Sequence, residues 1–172
     1  EIEGCFLYSR HWNPSNKYLS DAISALENSE ASQITSSGIS AIACAILQIC
    51  EQGDEIISSR TIYGGTYALF KNVLPKFGIS VKFVDILDLS IVNKSINSKT
   101  KMVYCESISN PLLDVTDLPE LSKITKKHAI KLVVDNTFSP MAITPINHGA
   151  DIVIHSLTKF INGTSDCVAG SI

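Results

Sequence analysis

Along the chain, short runs rich in β-branched residues recur between longer stretches with helical periodicity. Glu55-Ile56-Ile57-Ser58, Ser80-Val81-Lys82-Phe83-Val84, Lys101-Met102-Val103-Tyr104, Leu132-Val133-Val134-Asp135 and Asp151-Ile152-Val153-Ile154 carry the strand signature. A further strand is expected over residues 168–172. Residues 37–50 are apolar nearly all round, which predicts a helix covered on every side. Asp117 as N-cap, an early Pro119 and Glu120 open a second helix, in which Leu118, Leu121 and Ile124 recur at helical spacing and which should end near His128. A third helix is expected from Thr66 to about Leu74, before Pro75, with Gly64 and Gly65 keeping its entry free of side-chain bulk. Strands alternating with helices predict an α/β layer built on a largely parallel sheet.

Composition narrows the classes. The 172 residues are 45% hydrophobic and 18% charged, without internal repeat, low-complexity tract or Gly/Ser linker, which describes one globular unit. A net charge of -3 with no basic stretch leaves no electrostatic footprint for nucleic acid or an anionic membrane surface. The longest apolar segment, 39–50, contains Ser40 and Gln48 and falls far short of the roughly 20 apolar residues that a bilayer span needs. No targeting segment is visible, so a cytoplasmic location is expected. Cys5, Cys44, Cys50, Cys105 and Cys167 form no C-x-x-C pair, which predicts reduced, mostly buried thiols and no metal site. The chain opens on Glu1 and stops inside a strand pattern, so it is expected to be a piece of a longer protein.

Three segments hold residues with chemical potential. Ser156-Leu157-Thr158-Lys159 follows the strand pattern ending near His155, and ligands of open α/β sheets bind at such carboxyl ends. Taken alone, S-x-x-K also matches the nucleophile motif of penicillin-binding proteins, but the K-T-G and S-D-N elements of that scheme are absent. Asp135 ends an apolar strand, where a carboxylate either caps the following turn or faces a cationic or donor partner. Thr35-Ser36-Ser37-Gly38-Ile39 leads into the buried helix; it is either an ordinary Ser cap or an anion site of free helix N–H groups. Tyr63, before Gly64-Gly65, is either a half-buried core residue or a ring able to stack on a flat ligand. Together, an imine-forming lysine, a buried Asp for a protonated ring nitrogen and a hydroxyl-and-Gly loop opening a helix are what pyridoxal phosphate needs. A nicotinamide-binding reading lacks G-x-G-x-x-G after the first strand.

These residues sit within a larger set: Tyr8-Ser9-Arg10 with Asn13-Pro14, Ser36-Ser37-Gly38, Tyr63-Gly64-Gly65-Thr66, Glu106 with Asn110-Pro111, Val134-Asp135-Asn136-Thr137-Phe138, and Gly149-Ala150-Asp151 running into Ser156-Leu157-Thr158-Lys159. In this order and over almost the whole chain, the set closely resembles the pyridoxal-phosphate enzymes of cysteine and methionine metabolism: cystathionine γ-synthase and γ-lyase, homoserine-ester sulfhydrylases and methionine γ-lyase. The resemblance implies a three-layer α/β/α, aspartate-aminotransferase-like (fold type I) domain. It implies that Lys159 forms the imine with the cofactor and that Asp135 partners the pyridine nitrogen. Ser37, Gly38 and Ile39 would hold the phosphate with the hydroxyls of Ser156 and Thr158, Tyr63 would stack on the ring and assist proton transfer, and Asn110 would lie near the ring's 3-oxygen. Tyr8 and Arg10 would complete the phosphate site of a neighbouring subunit, which implies a homo-oligomer, a dimer of dimers with shared active sites.

Within that family, the run from Ser9 to Pro14 with His11, and the Glu106-Ser107 and Asn110-Pro111 segment, look most like methionine γ-lyases of the plant type, although Gly65 stands where many bacterial ones carry cysteine. The implied substrate is a small sulfur amino acid. Residues 1–172 would correspond to most of the cofactor-binding large domain, without the N-terminal arm and the C-terminal domain. A second function class, a fragment that keeps the cofactor-domain fold without turnover, stands beside the lyase reading.

Overall fold

The computed structural model describes residues 8, 9 and 12–172. Helix α1 (Pro14–Glu27) opens on Asn13, whose side chain accepts the Asn16 N–H at 2.8 Å, with Pro14 in the first turn where its missing N–H costs nothing. Strand β1 (Ile34–Thr35), helix α2 (Gly38–Ile49) and strand β2 (Glu55–Ser59) follow, then α3 (Gly64–Ala68), β3 (Ser80–Val84), α4 (Leu89–Ser95), β4 (Thr100–Glu106), α5 (Leu118–Lys127), β5 (Lys131–Asp135), β6 (Ile152–Ile154) and β7 (Gly170–Ser171). Strands β2 to β6 form a parallel sheet in the order β3-β2-β4-β5-β6. An antiparallel bridge between His155 and Ser171 joins β6 to the antiparallel pair β7 and β1.

Side-chain alternation along the strands divides the core in two. Ile56, Met102, Tyr104, Val133 and Ile154 pack against Ala41, Ile42, Ala45 and Ile46 of α2 and against Phe70 and Leu74. Ile57, Val103, Cys105, Leu132, Val134 and Val153 face α4 and α5 through Val92, Leu118 and Leu121. The result is the expected three-layer α/β/α arrangement, and it gathers the carboxyl ends of β2, β4, β5 and β6 on one edge beside the N-terminus of α2.

Differences from the sequence reading have local causes. The third helix starts at Gly64, runs on through a π-helical turn (Leu69–Val73) and ends in a 3-10 turn (Leu74–Phe77), with Gly78 at φ 73 closing it. Pro75 therefore lies in the first turn of a new segment, where it is tolerated, instead of stopping the helix. Helix α2 is not covered all round: the sheet takes its Ala41, Ile42, Ala45 and Ile46 stripe, while Leu47 is 50% exposed and Cys44 is also exposed. Cys167 is exposed as well, so of the described cysteines only Cys50 and Cys105 are buried, where loss of hydration pushes their thiols up to about 11 and about 12. Helices α1 and α4 were not anticipated, although Asn13-Pro14 and the N-cap Asp88, which accepts the Ile91 N–H at 3.0 Å, are start signals for them.

Candidate active site

The N-terminus of α2 is built by a reciprocal cap: Ser37 Oγ accepts the Ser40 N–H at 3.1 Å and Ser40 Oγ accepts the Ser37 N–H at 2.9 Å. The first-turn N–H groups of Gly38 and Ile39 have no intrahelical acceptor, and the helix dipole adds positive potential there. Gly38 is required by packing: a Cβ would lie 2.6 Å from Ser156 Cβ and 2.9 Å from Ser156 Cα, so its absence is what lets the turn after β6 close onto the helix. Gly38→Ala is therefore expected to cost ~1–3 kcal/mol in chemical denaturation of the complete, cofactor-free protein.

Asp135, at the end of β5, is 8% exposed and fixed from two sides. Its Oδ2 accepts the Tyr104 hydroxyl at 3.0 Å and its Oδ1 accepts the Thr137 N–H at 3.0 Å. Tyr104 is fully buried; loss of hydration, then the nearby Asp135 charge, pushes its phenol well above its ordinary range, so it acts as a permanent donor. At the end of β4, Glu106 Oε1 accepts the Tyr63 N–H at 2.6 Å and Oε2 accepts the Asn110 N–H at 2.9 Å, so one carboxylate sets two loops. Burial pushes Glu106 up to about 7 despite these two donors, with Asp135 adding to the rise.

The sign of that shift fixes a pH dependence. A carboxyl raised from 4.5 to about 7 binds a proton in the folded state that the unfolded state has already lost, so its contribution is full below the lower value. It falls as pH climbs to about 7 and is constant above, a change of ~3 kcal/mol at most. The unfolding free energy of the complete cofactor-free protein, less that of Glu106→Gln, should decline across this window; a flat difference would contradict the assignment.

Past β6, the Ser156 N–H donates to Thr137 Oγ1 at 2.7 Å, tying the ends of β5 and β6 together. The next residues turn back, the Lys159 N–H donating to the Ser156 carbonyl at 3.1 Å and the Gly163 N–H to the Lys159 carbonyl at 2.9 Å, which leaves the Lys159 side chain exposed. A cavity of about 910 Å³ opens at this edge, and its lining brings together Gly38, Ile39, Tyr63, Asn110, Asp135, Ser156, Thr158 and Lys159. Phe138 and Phe160, meeting edge to face at 5.4 Å between ring centroids, give it an apolar wall. Tyr63 is half exposed, and its ring stands where a Cβ on Gly65 would come within 2.5 Å.

Two expected site residues stand apart from the cavity, and a third lies outside the described residues. Ser37 caps α2 without lining the cavity, Tyr8 is exposed ahead of α1 with its carbonyl accepting the Trp12 N–H at 3.1 Å, and Arg10 lies outside the described residues. The Thr158 hydroxyl both donates to the Ala169 carbonyl and accepts the Ala169 N–H, each at 3.1 Å, so its one proton is engaged within the chain. Tyr104, Thr137 and the holding role of Glu106 were missed. The available signal was the parallel strand pattern, which carries the ends of β4 and β5 to one edge.

A helix N-terminus, a lysine and a doubly held aspartate around one cavity, at the carboxyl edge of a parallel sheet, are groups that could hold a phosphorylated, nitrogen-containing cofactor. The family model for the Cys/Met metabolism PLP-dependent enzymes matches residues 1–172, and the chain belongs to this family. It is 44% identical over 97% of its length to the methionine gamma-lyase of Arabidopsis thaliana, and 44% identical over 96% to the O-acetyl-L-homoserine sulfhydrylase of Leptospira meyeri, spanning 38% of each. A Campylobacter jejuni crystal structure holding N'-pyridoxyl-lysine-5'-monophosphate superposes with a TM-score of 0.93 at 34% identity, over 96% of this chain and 41% of that one. The fold is thus that of the fold type I pyridoxal-phosphate enzymes, and pyridoxal phosphate is the family's cofactor. The chain spans about two-fifths of the length of these relatives. Among the described residues, no helix is long and apolar enough to cross a membrane.

Proposed function

We propose that the complete protein is a carbon–sulfur lyase that converts L-methionine to methanethiol, 2-oxobutyrate and ammonia by γ-elimination, as a cytoplasmic dimer of dimers to which this chain contributes most of the cofactor-binding domain. The observation that carries the reading is the meeting of Lys159, Asp135 and the α2 N-terminus around one cavity. The residues suit the cofactor: free first-turn N–H groups for a phosphate, a carboxylate for a ring N–H, an amine for an aldehyde. Pyridoxal phosphate, when bound, supplies an electron sink beside the amino-acid nitrogen.

The protein's residues do the rest. Gly38 and Ile39 donate backbone N–H groups to the phosphate, with the Ser156 hydroxyl beside them. Asp135, oriented by Tyr104 and Thr137, keeps a proton on the ring nitrogen. Lys159 Nζ removes the α-proton of the substrate, and the Tyr63 hydroxyl delivers a proton to the departing sulfur. Asn110, held by Glu106, would help to hold the cofactor ring, and Phe138 with Phe160 would limit water in the cavity. Tyr8 and Arg10 would complete the phosphate site of a neighbouring subunit, Arg being suited to it by its planar fork of donors.

A second reading, γ-replacement on O-acetylhomoserine, is favoured by the sulfhydrylase relative, which is as similar as the methionine gamma-lyase. Both use the same lysine and aspartate and differ in which group leaves and what replaces it. Assay of the complete protein with methionine, cystathionine, and O-acetylhomoserine plus sulfide separates them. Methanethiol release with the highest kcat/KM is expected from methionine; faster homocysteine formation from the acetyl ester would select the second reading. Tyr63→Phe should slow methanethiol release by about 10²–10⁴-fold in a single-turnover assay while leaving cofactor uptake intact.

A further inference from the structure

One buried carboxylate on the far side of the sheet belongs to none of the groups above. Glu27, the last residue of α1, is 3% exposed, and its Oε1 is the acceptor for two donors: His155 Nε2 at 2.5 Å and Asn136 Nδ2 at 2.9 Å. Both donors are buried too, His155 at 1% and Asn136 at 0% exposed. Their positions are related by the sheet. Strands β5 and β6 pair Asp135 with Ile154, so Asn136 and His155 are the next pair along and project to the same side. Their chain neighbours Asp135 and Ser156 project to the other side, into the large cavity.

From this arrangement we infer that Glu27 is a positioning residue for the cofactor site, acting through Asn136 and His155 on Asp135 and Ser156. The inference rests on the assignment of Asp135 and Ser156 to the cofactor. Asn136 is the more constrained of the two intermediaries. Its Oδ1 accepts from Ser107 at 2.7 Å and from Ser139 at 2.9 Å, its Nδ2 also donates to the Ile143 carbonyl at 2.8 Å, and its N–H donates to the Ile154 carbonyl at 2.8 Å. Glu27 is therefore the anchor by which a sequence-distant helix enters a network already touching β4, β5 and β6. His155 is bonded through its backbone to Ser171 on β7, so the same carboxylate also steadies the strand beyond.

The chemistry of the contact argues for positioning over mere filling. A carboxylate placed away from water is costly unless donors surround it. Here Oε2 of Glu27 and Nδ1 of His155 have no protein partner among the described residues, so the carboxyl group is held through one oxygen alone. A helix end serving packing alone would be better served by an apolar residue; what the carboxylate adds is direction, since one oxygen accepting two N–H donors fixes the rotamers of Asn136 and His155 together. The helix enters through a side chain, so the strand ends are fixed without α1 having to approach the cavity.

The test uses the complete protein, titrated with pyridoxal phosphate and followed by visible absorbance and visible circular dichroism, the latter reporting how the bound ring is held. Glu27→Ala should weaken cofactor binding at least tenfold and alter the dichroism of what binds. Glu27→Gln, which keeps an oxygen able to accept both donors, should restore binding to within about threefold of the parent protein. Val92→Ala, on the α4 face, serves as a stability control and should leave both readouts unchanged. Unaltered cofactor affinity and dichroism in Glu27→Ala, with only a lower unfolding temperature, would overturn the inference. If Glu27→Ala does not fold, Glu27→Asp, which withdraws the carboxylate by one methylene, must weaken binding at least fivefold, and parental affinity in that variant overturns it equally. A parent protein that takes up no pyridoxal phosphate would instead sink the cofactor assignment, and this inference with it.

Discussion

Lys159→Ala in the complete protein is expected to abolish turnover, by at least ~10³-fold, while leaving the fold intact. The two halves of this expectation have separate grounds. Lys159 lies in an exposed turn, and none of the ion pairs among the described residues uses it, so its removal should change stability by no more than about 0.5 kcal/mol. The turn itself is held by backbone bonds from Lys159 to Ser156 and from Gly163 to Lys159, which alanine preserves. What alanine cannot supply is an amine beside the cavity, which under the proposed function would hold the cofactor through its aldehyde and take the substrate's α-proton. Borohydride reduction followed by denaturation should leave a pyridoxyl label on the parent protein and none on the variant. A label of equal yield on the variant would place the attachment at another lysine and remove Lys159 from the mechanism.

The physical reason that this site was visible in the sequence is also the reason that parts of it were not. Residue type and spacing report which face of an element is apolar and where a chain must turn, so Asp117 and Pro119 announced α5, and Leu132-Val133-Val134 announced a buried parallel strand with Asp135 at its end. Partners contributed by another element leave no such trace. Tyr104 lies in an apolar run and reads as core; only the register of β4 against β5, with Glu106 opposite Asp135, brings its hydroxyl to the carboxylate. Glu27 and His155 are 128 positions apart and neither periodicity nor a motif couples them. The helix from Gly64 was misjudged for a different reason: Pro75 is a stop signal only if the helix reaches it unbroken, and the π-helical turn before it lets the chain restart with proline in an allowed place.

Asp135→Ala should cut exchange of the α-proton of methionine by about 10²–10⁴-fold in deuterated solvent, with cofactor still taken up, though more weakly. Under the proposed function the carboxylate would hold a positive charge on the cofactor's ring nitrogen, and the cofactor would be a weaker electron sink without it. Structural damage must be separated from this loss. Alanine leaves the Tyr104 hydroxyl buried without its acceptor and frees the Thr137 N–H, at a cost of ~1–3 kcal/mol. Tyr104→Phe removes the same hydrogen bond while keeping the carboxylate, so it should retain most of the exchange activity and lose no more stability than Asp135→Ala. Asp135→Asn keeps the size and one acceptor oxygen, for the Thr137 N–H, but its amide nitrogen faces the Tyr104 hydroxyl and it carries no charge; it should track the alanine variant in exchange while losing no more stability than Asp135→Ala. If Asp135→Ala or Asp135→Asn exchanged the α-proton as fast as the parent protein, the negative charge at the end of β5 would have no part in the chemistry, and that role would pass to another group, such as Glu106 in the same cavity.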